Sequence, residues 1–387
     1  MKKILIWLMI FTISVSLVFV GIGCKTTTAE ETTAEETTVI DVPAKKVGII
    51  IWGVEDTLSA AVKRNLDAAA EVLNVELVYA TGDFDSESQL IAAENLIAAE
   101  VDAIMLSPMD DSVVPRIAEK CADANVALIL FFRDINDPAI AAETEKIPNY
   151  LGYTLESEVK AGKDMIATFS KNGAKNVGLI TMAPGFTVTD KRKIGFEEGI
   201  KEYGLNQLAE VVVAMADATS GLGAKDGIEN FIATFGDEMD CIAMAFGEAS
   251  AVSARAVIEN SGKVGQIQVG TLDSFEGMAT AFQKGIFTFM GSGTYTDPLF
   301  SFIVLFNYLH GTPLTDGKVE LTQNYIYAKS YEEVLDFIKY IDNKDIIIYS
   351  PDEIKQMAKL YNPDFTLEDL KKIMADYSIE DVKSRLQ

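Results

Sequence analysis

The sequence predicts an α/β protein: two doubly wound parallel-sheet domains joined by a hinge, followed by a C-terminal helical appendage. Three observations lead there. From Lys45 onward, short β-branched apolar runs alternate with amphipathic stretches, as in parallel strands covered on both faces by helices. The pattern restarts near Asn176 and echoes its own beginning. After about residue 346 the strand runs stop and helix-start signals follow one another. A chain of 387 residues can bury two substantial cores.

The amino terminus reads as an address. Lys2 and Lys3 precede an uncharged apolar run from Ile4 to Val20, and Gly21-Ile22-Gly23-Cys24 follows. A basic start, an apolar core and small residues before a break describe a secretory signal, here residues 1–23. Gly23-Cys24 resembles the lipobox of bacterial lipoproteins, in which the cysteine thiol receives diacylglycerol; Gly21 departs from the usual Leu or Val. Cys24 is therefore the expected lipidation site, with an uncleaved membrane helix as the alternative. Residues 24–44 repeat Thr, Ala and Glu without apolar periodicity and are expected to form a flexible linker.

Within the body, Val47 to Ile51, Val75 to Ala80, Ala103 to Leu106 and Val126 to Phe132 read as strands. Leu58 to Leu73, Glu87 to Ala99 and Val113 to Ala124 read as the intervening helices. Asn176-Val177-Gly178-Leu179-Ile180 echoes Lys46-Val47-Gly48-Ile49-Ile50, and Met239-Asp240-Cys241-Ile242 echoes Val101-Asp102-Ala103-Ile104. The expected lobes are 45–152 plus about 294–322, and 153–293 plus about 323–345, with the helical appendage at 346–387. In that appendage Ser350, Thr366 and Ser378 each precede acids and read as helix N-caps. Ligands of such sheets lie outside the carboxyl ends of the strands, so two facing lobes would enclose a small ligand.

Composition removes several chemistries. Fifty-eight acids against 33 bases give a formal net charge of −25, which opposes nucleic-acid binding. Cys24, Cys121 and Cys241 lack C-x-x-C spacing, and Cys121 and Cys241 are expected buried and unpaired. His310 is the only histidine, so no histidine-based triad or multi-histidine metal site can be built without it; a helix end is its expected place. No phosphate-cradling glycine motif occurs, since Gly221-Leu222-Gly223 lacks the third glycine. Neither a cofactor nor a metal is expected.

Several stretches carry a resemblance over residues 45 to 340. They are Ile104-Met105-Leu106-Ser107-Pro108, Asn125 to Asp134 with Arg133, Gly185 followed by Arg192-Lys193-Ile194-Gly195-Phe196, and Val269-Gly270-Thr271-Leu272-Asp273. In order and spacing the chain resembles the ribose- and galactose-binding branch of type I periplasmic-binding proteins. The resemblance implies that Arg133 and Arg192 donate to ligand oxygens and that Asp273 accepts from hydroxyls. Phe132 stands where that family often has Asp, with Asp134 as a substitute, and Gly247-Glu248 stands where it tends to carry Asn-Asp. The aromatic pair expected after the first strand is replaced by Leu58 and Ser59. Trp52 is the candidate stacking face, with a core role as the alternative, and Asp56 lies beside it as a further candidate. Tyr295 and Asp297 fall near an expected crossover, as hinge or pocket.

The expected function is therefore capture of a small polar solute, a sugar or polyol, by a monomer that delivers it to ABC permease subunits. A sensory co-receptor signalling to a membrane kinase is the second reading. An extracellular hydrolase using Asp110 and Asp111 is a remote third, because adjacent acids after a strand more often start a helix. A cytoplasmic regulator of the lactose-repressor type shares the fold, but no basic helix-turn-helix module precedes Lys45.

Overall fold

The computed structural model describes residues 42–386; the expected signal peptide, Cys24 and most of the expected linker lie outside the described residues. Five strands open the body: β1 (Lys45–Ile51), β2 (Val75–Thr81), β3 (Ala103–Leu106), β4 (Ala127–Leu130) and β5 (Tyr150–Glu156). Five more follow: β6 (Asn176–Met182), β7 (Asn206–Val213), β8 (Cys241–Met244), β9 (Gln268–Leu272) and β10 (Phe287–Ser292). The chain then crosses back for β11 (Val319–Gln323) and returns for β12 (Ile326–Ala328). The first sheet has the order β11-β5-β4-β3-β1-β2 and is wholly parallel. The second has the order β12-β10-β9-β8-β6-β7, parallel except for the β10–β12 pair. These are the two doubly wound lobes that the sequence predicts. β5 belongs to the first sheet along its whole length, so the expected 152/153 boundary falls inside a strand.

The two echoes have physical causes. Gly48 in β1 and Gly178 in β6 occupy equivalent places, and each makes room for a helix side chain. A Cβ on Gly48 would stand 2.6 Å from Leu96 Cδ1, and one on Gly178 2.8 Å from Phe231 Cε2. Asp102 accepts the Lys46 backbone N–H at 2.8 Å, and Asp240 accepts that of Asn176 at 2.9 Å. Each aspartate thereby ties the strand it precedes to the first strand of its own sheet. β3, β4 and β8 are fully buried, as strands covered by helices on both faces must be.

The appendage is packed onto the body. Ser350, Thr366 and Ser378 do cap helices, Pro351–Gln356, Leu367–Asp376 and Ile379–Arg385, each accepting a backbone N–H three residues on. Ile348 N–H donates to Asn65 Oδ1 on a first-lobe helix, and Asn307 Nδ2 donates to Met357 O. Tyr377 OH donates to Gly293 O at 2.8 Å, and Asn324 Nδ2 donates to Ala375 O at 2.6 Å. Gly293 and Asn324 stand in two of the three crossings between sheets, so the tail straps the hinge.

Candidate ligand-binding cleft

A cavity of about 430 Å³ lies between the carboxyl ends of the two sheets, within the ~300–1,000 Å³ usual for small-molecule sites. Loops after β1, β2, β4 and β5 line it from the first lobe, and loops after β6, β7, β8 and β9 from the second.

Arg192 is set by helix packing. It lies on helix Thr187–Tyr203, which crosses helix Glu158–Lys171 at Gly162 and Gly195. A Cβ on Gly195 would stand 2.1 Å from Val159 O, and one on Gly162 2.3 Å from Arg192 O, so only glycine permits this approach. Arg192 Nε then donates to Glu158 at 2.6 Å, Nη1 to Ala245 O at 2.8 Å, and Nη2 to Tyr325 OH at 2.7 Å. Asp273 stands 3.8 Å from Nη1. Most donors of this guanidinium are therefore held by protein.

Arg133 is placed differently. It follows β4 and is only 5% exposed, with no carboxylate in contact. Nη1 donates to Pro108 O, the guanidinium lies 4.2 Å from the Phe186 ring centroid of the opposite lobe, and Nε has no partner. Burial, then the neighbouring Arg192 charge, push its pKa down to about 10. A buried cation with an unpartnered donor is costly.

The aromatic wall belongs to the first lobe. Trp52 stacks on Phe84 at 5.9 Å and packs against Phe132 at 5.9 Å, while its Nε1 donates to Asp56 at 2.8 Å. Asp56 also caps helix Thr57–Leu73 through Ser59 N–H. Phe132 has φ 65°, held by its N–H donating to Asp297 at 2.7 Å. Across the cavity Glu248 has φ 48° and Asp273 φ 89°, conformations that non-glycine residues hold only when their surroundings enforce them. Burial, Asp273 and Asp56 push the Glu248 carboxyl up to about 7.

Seven of the eight sequence candidates line this cavity: Trp52, Asp56, Phe132, Arg133, Arg192, Glu248 and Asp273. Asp134 does not; both its oxygens accept from Lys191 of the other lobe at 2.5 Å. Tyr295 and Asp297 also lie outside the lining, with Tyr295 OH donating to Ile341 O. Asp110 accepts from Ser112 and Val113 at a helix start, and Asp111 accepts the Asp137 N–H. His310 ends helix Asp297–Leu309, and Cys121 and Cys241 are buried and free. Sequence reasoning missed Phe84, Phe186, Glu156, Glu158 and Tyr325 among the lining residues. The one available signal was an aromatic at each of two strand-end turns, Gly82-Asp83-Phe84 and Gly185-Phe186.

A family profile described as "Periplasmic binding protein domain" matches residues 47–297. The chain belongs to that family. Family membership implies an extracytoplasmic location and a binding protein rather than an enzyme. This periplasmic binding protein is 24% identical to the Xylitol-binding protein of Mycolicibacterium smegmatis over 65% of this chain and 68% of that one. It is 26% identical to the Fructose import binding protein of Bifidobacterium longum over 76% and 87%. A crystal structure of a galactofuranose binding protein shares the fold, with a TM-score of 0.65 and 21% identity, covering 77% of this chain and all of that one. Matches to the curated relatives span from 46% to 87% of their lengths, in one case about half. Among the described residues, no helix is long and apolar enough to cross a membrane, and no cluster of His, Cys, Asp and Glu could hold a metal ion.

Proposed function

We propose that this chain captures a sugar- or polyol-like solute between its lobes and presents it to the permease of an ABC importer. The carrying observation is Arg133: a buried guanidinium, its Nε without a partner, among the residues that line a cavity at the strand ends of both sheets. Its free donors suit ligand oxygens, Asp273 suits hydroxyl protons, and Trp52 and Phe132 offer ring faces to C–H surfaces. The sugar- and polyol-binding names of the relatives support the same reading.

Residues up to Glu156, together with the helix Asp297–Leu309 and β11, act as one lobe, and the β6–β10 array with β12 as the other. Asp134–Lys191 and Arg133–Phe186 join the lobes beside the cavity, as contacts of a closed conformation would. Ligand contact from both lobes stabilises this state over an open one. The protein works as a monomer, held at the membrane by lipid on Cys24.

Isothermal titration against sugars, polyols and nucleosides tests the reading. Binding of at least one member, weakened tenfold or more in Arg133→Met, is the expected result. No heat from any of the three classes would sink it.

A further inference from the structure

Charge in the cleft is lopsided. Five acidic side chains line it (Asp56, Glu156, Glu158, Glu248 and Asp273) against the two guanidinium groups. Burial, with Asp297 and Glu158 nearby, raises the pKa of the Glu156 carboxyl well above the usual range, favouring its neutral form. Glu158 and Arg192 satisfy each other, and Asp273 adds a longer contact to the same arginine. Glu248, at the N-cap of helix Ala249–Asn260, makes no capping bond with its side chain. The charges that act on it are both negative: Asp273 beside it and Asp56 from the opposite lobe. On Asp273 the larger charge effect is the attraction of Arg192, with Asp56 repelling it from across the cleft. A separate observation points to an unmet polar contact in the same cleft. Glu156, at the end of β5, is 2% exposed and lines the cavity, yet its Oε1 has no partner.

Like charges that meet across a closing cleft oppose closure unless something positive lies between them. No three of these acids form a group that could hold a metal ion; an organic cation needs no such group. The Trp52 ring, whose own N–H donates to Asp56, stands with Phe84 and Phe132 at the same wall. Aromatic faces beside carboxylates are the surroundings that favour an ammonium group. The acidic surface, with a net charge of −25, also steers cations toward the protein.

We infer that the solute carries a basic nitrogen as well as hydroxyls, as an amino sugar or amino polyol does. The ammonium group lies between Asp56 on one lobe and Glu248 and Asp273 on the other, while Arg133 takes hydroxyl oxygens. This inference rests on the solute-capture reading and narrows its ligand class.

Matched pairs test it by titration at pH 7.5: D-glucosamine with D-glucose, D-galactosamine with D-galactose, and N-methyl-D-glucamine with D-sorbitol. The expected result is that in at least one pair the aminated member binds about tenfold tighter or more, a difference of about 1.4 kcal/mol. Glu248→Gln should shrink that preference severalfold while the variant keeps the wild-type circular dichroism. If every member that binds is neutral, or binds at least as tightly as its aminated partner, the inference is overturned and solute capture stands. If no member of any pair binds and the wider panel is also silent, both fall.

Discussion

The Asp134–Lys191 pair offers the most direct test of how the cleft closes. Asp134 follows β4 of the first sheet, and Lys191 lies on the helix after β6 of the second. Both carboxylate oxygens accept from Nζ at 2.5 Å, with the two side chains 16% and 21% exposed. Two unit charges about 4 Å apart attract by about 4 kcal/mol at an effective dielectric of about 20. Desolvating both groups and ordering the lysine stem offset much of that, leaving about 1–2 kcal/mol. Because the pair joins two lobes, the remainder acts on the open–closed equilibrium and is read as ligand affinity. Lys191→Met and Asp134→Asn should each weaken binding by about 5- to 30-fold, measured by titration with the tightest solute of the panel. The double variant should lose little more than either single one, since one interaction is removed in all three. Affinities within twofold of wild type in both single variants would refute the assignment of this pair to closure.

Two further outcomes follow from buried groups. Tyr377→Phe removes the hydroxyl that satisfies Gly293 O at the hinge and should cost about 1–3 kcal/mol in urea unfolding; a loss below about 0.5 kcal/mol would show that the tail does not brace that crossing. Glu248 and Asp297 are both pushed up to about 7, mainly by burial. The native state then holds protons that the unfolded chain releases from the ordinary values of 4.5 and 3.8 upward. The contribution of these groups is fully present below about pH 4 and is lost as pH rises through about 7. Thermal melts of the ligand-free protein should show this fall between pH 5 and 8, and Glu248→Gln should flatten it; an unchanged slope in that variant would place the titration elsewhere.

Much of the fold was legible because its causes are local. A strand covered by helices on both faces must be apolar throughout, so β3 was readable to the residue as Ala103–Leu106. The N-caps at Ser350, Thr366 and Ser378 need only a hydroxyl and the next turn. The packing of the tail was not readable, because Tyr377 meets Gly293 across 84 positions of sequence and nothing near either residue announces the other. β12 is three residues long and antiparallel, too short to carry a periodic signal.

The cleft divides along the same line. Arg192 could be found because its motif includes Gly195, whose missing side chain lets two helices approach. Its partners Glu158 and Tyr325 lie 34 and 133 positions away, and no local pattern marks them. Gly247 looked like the loss of a polar ligand group, but space explains it. A Cβ there would stand 2.4 Å from Leu272 O, so this backbone admits no side chain at that position. The next residue, Glu248, whose φ of 48° places it at the turn into helix Ala249–Asn260, lines the cavity with a polar side chain. Phe132 shows the complementary exchange: an aromatic face replaces a carboxylate before Arg133, while the next acid, Asp134, is committed to Lys191. No carboxylate directly precedes Arg133, and Asp56, Glu248 and Asp273 are among the acids that line the cavity. At Gly247 a departure that reads as loss of polarity in the sequence is, in three dimensions, a matter of space.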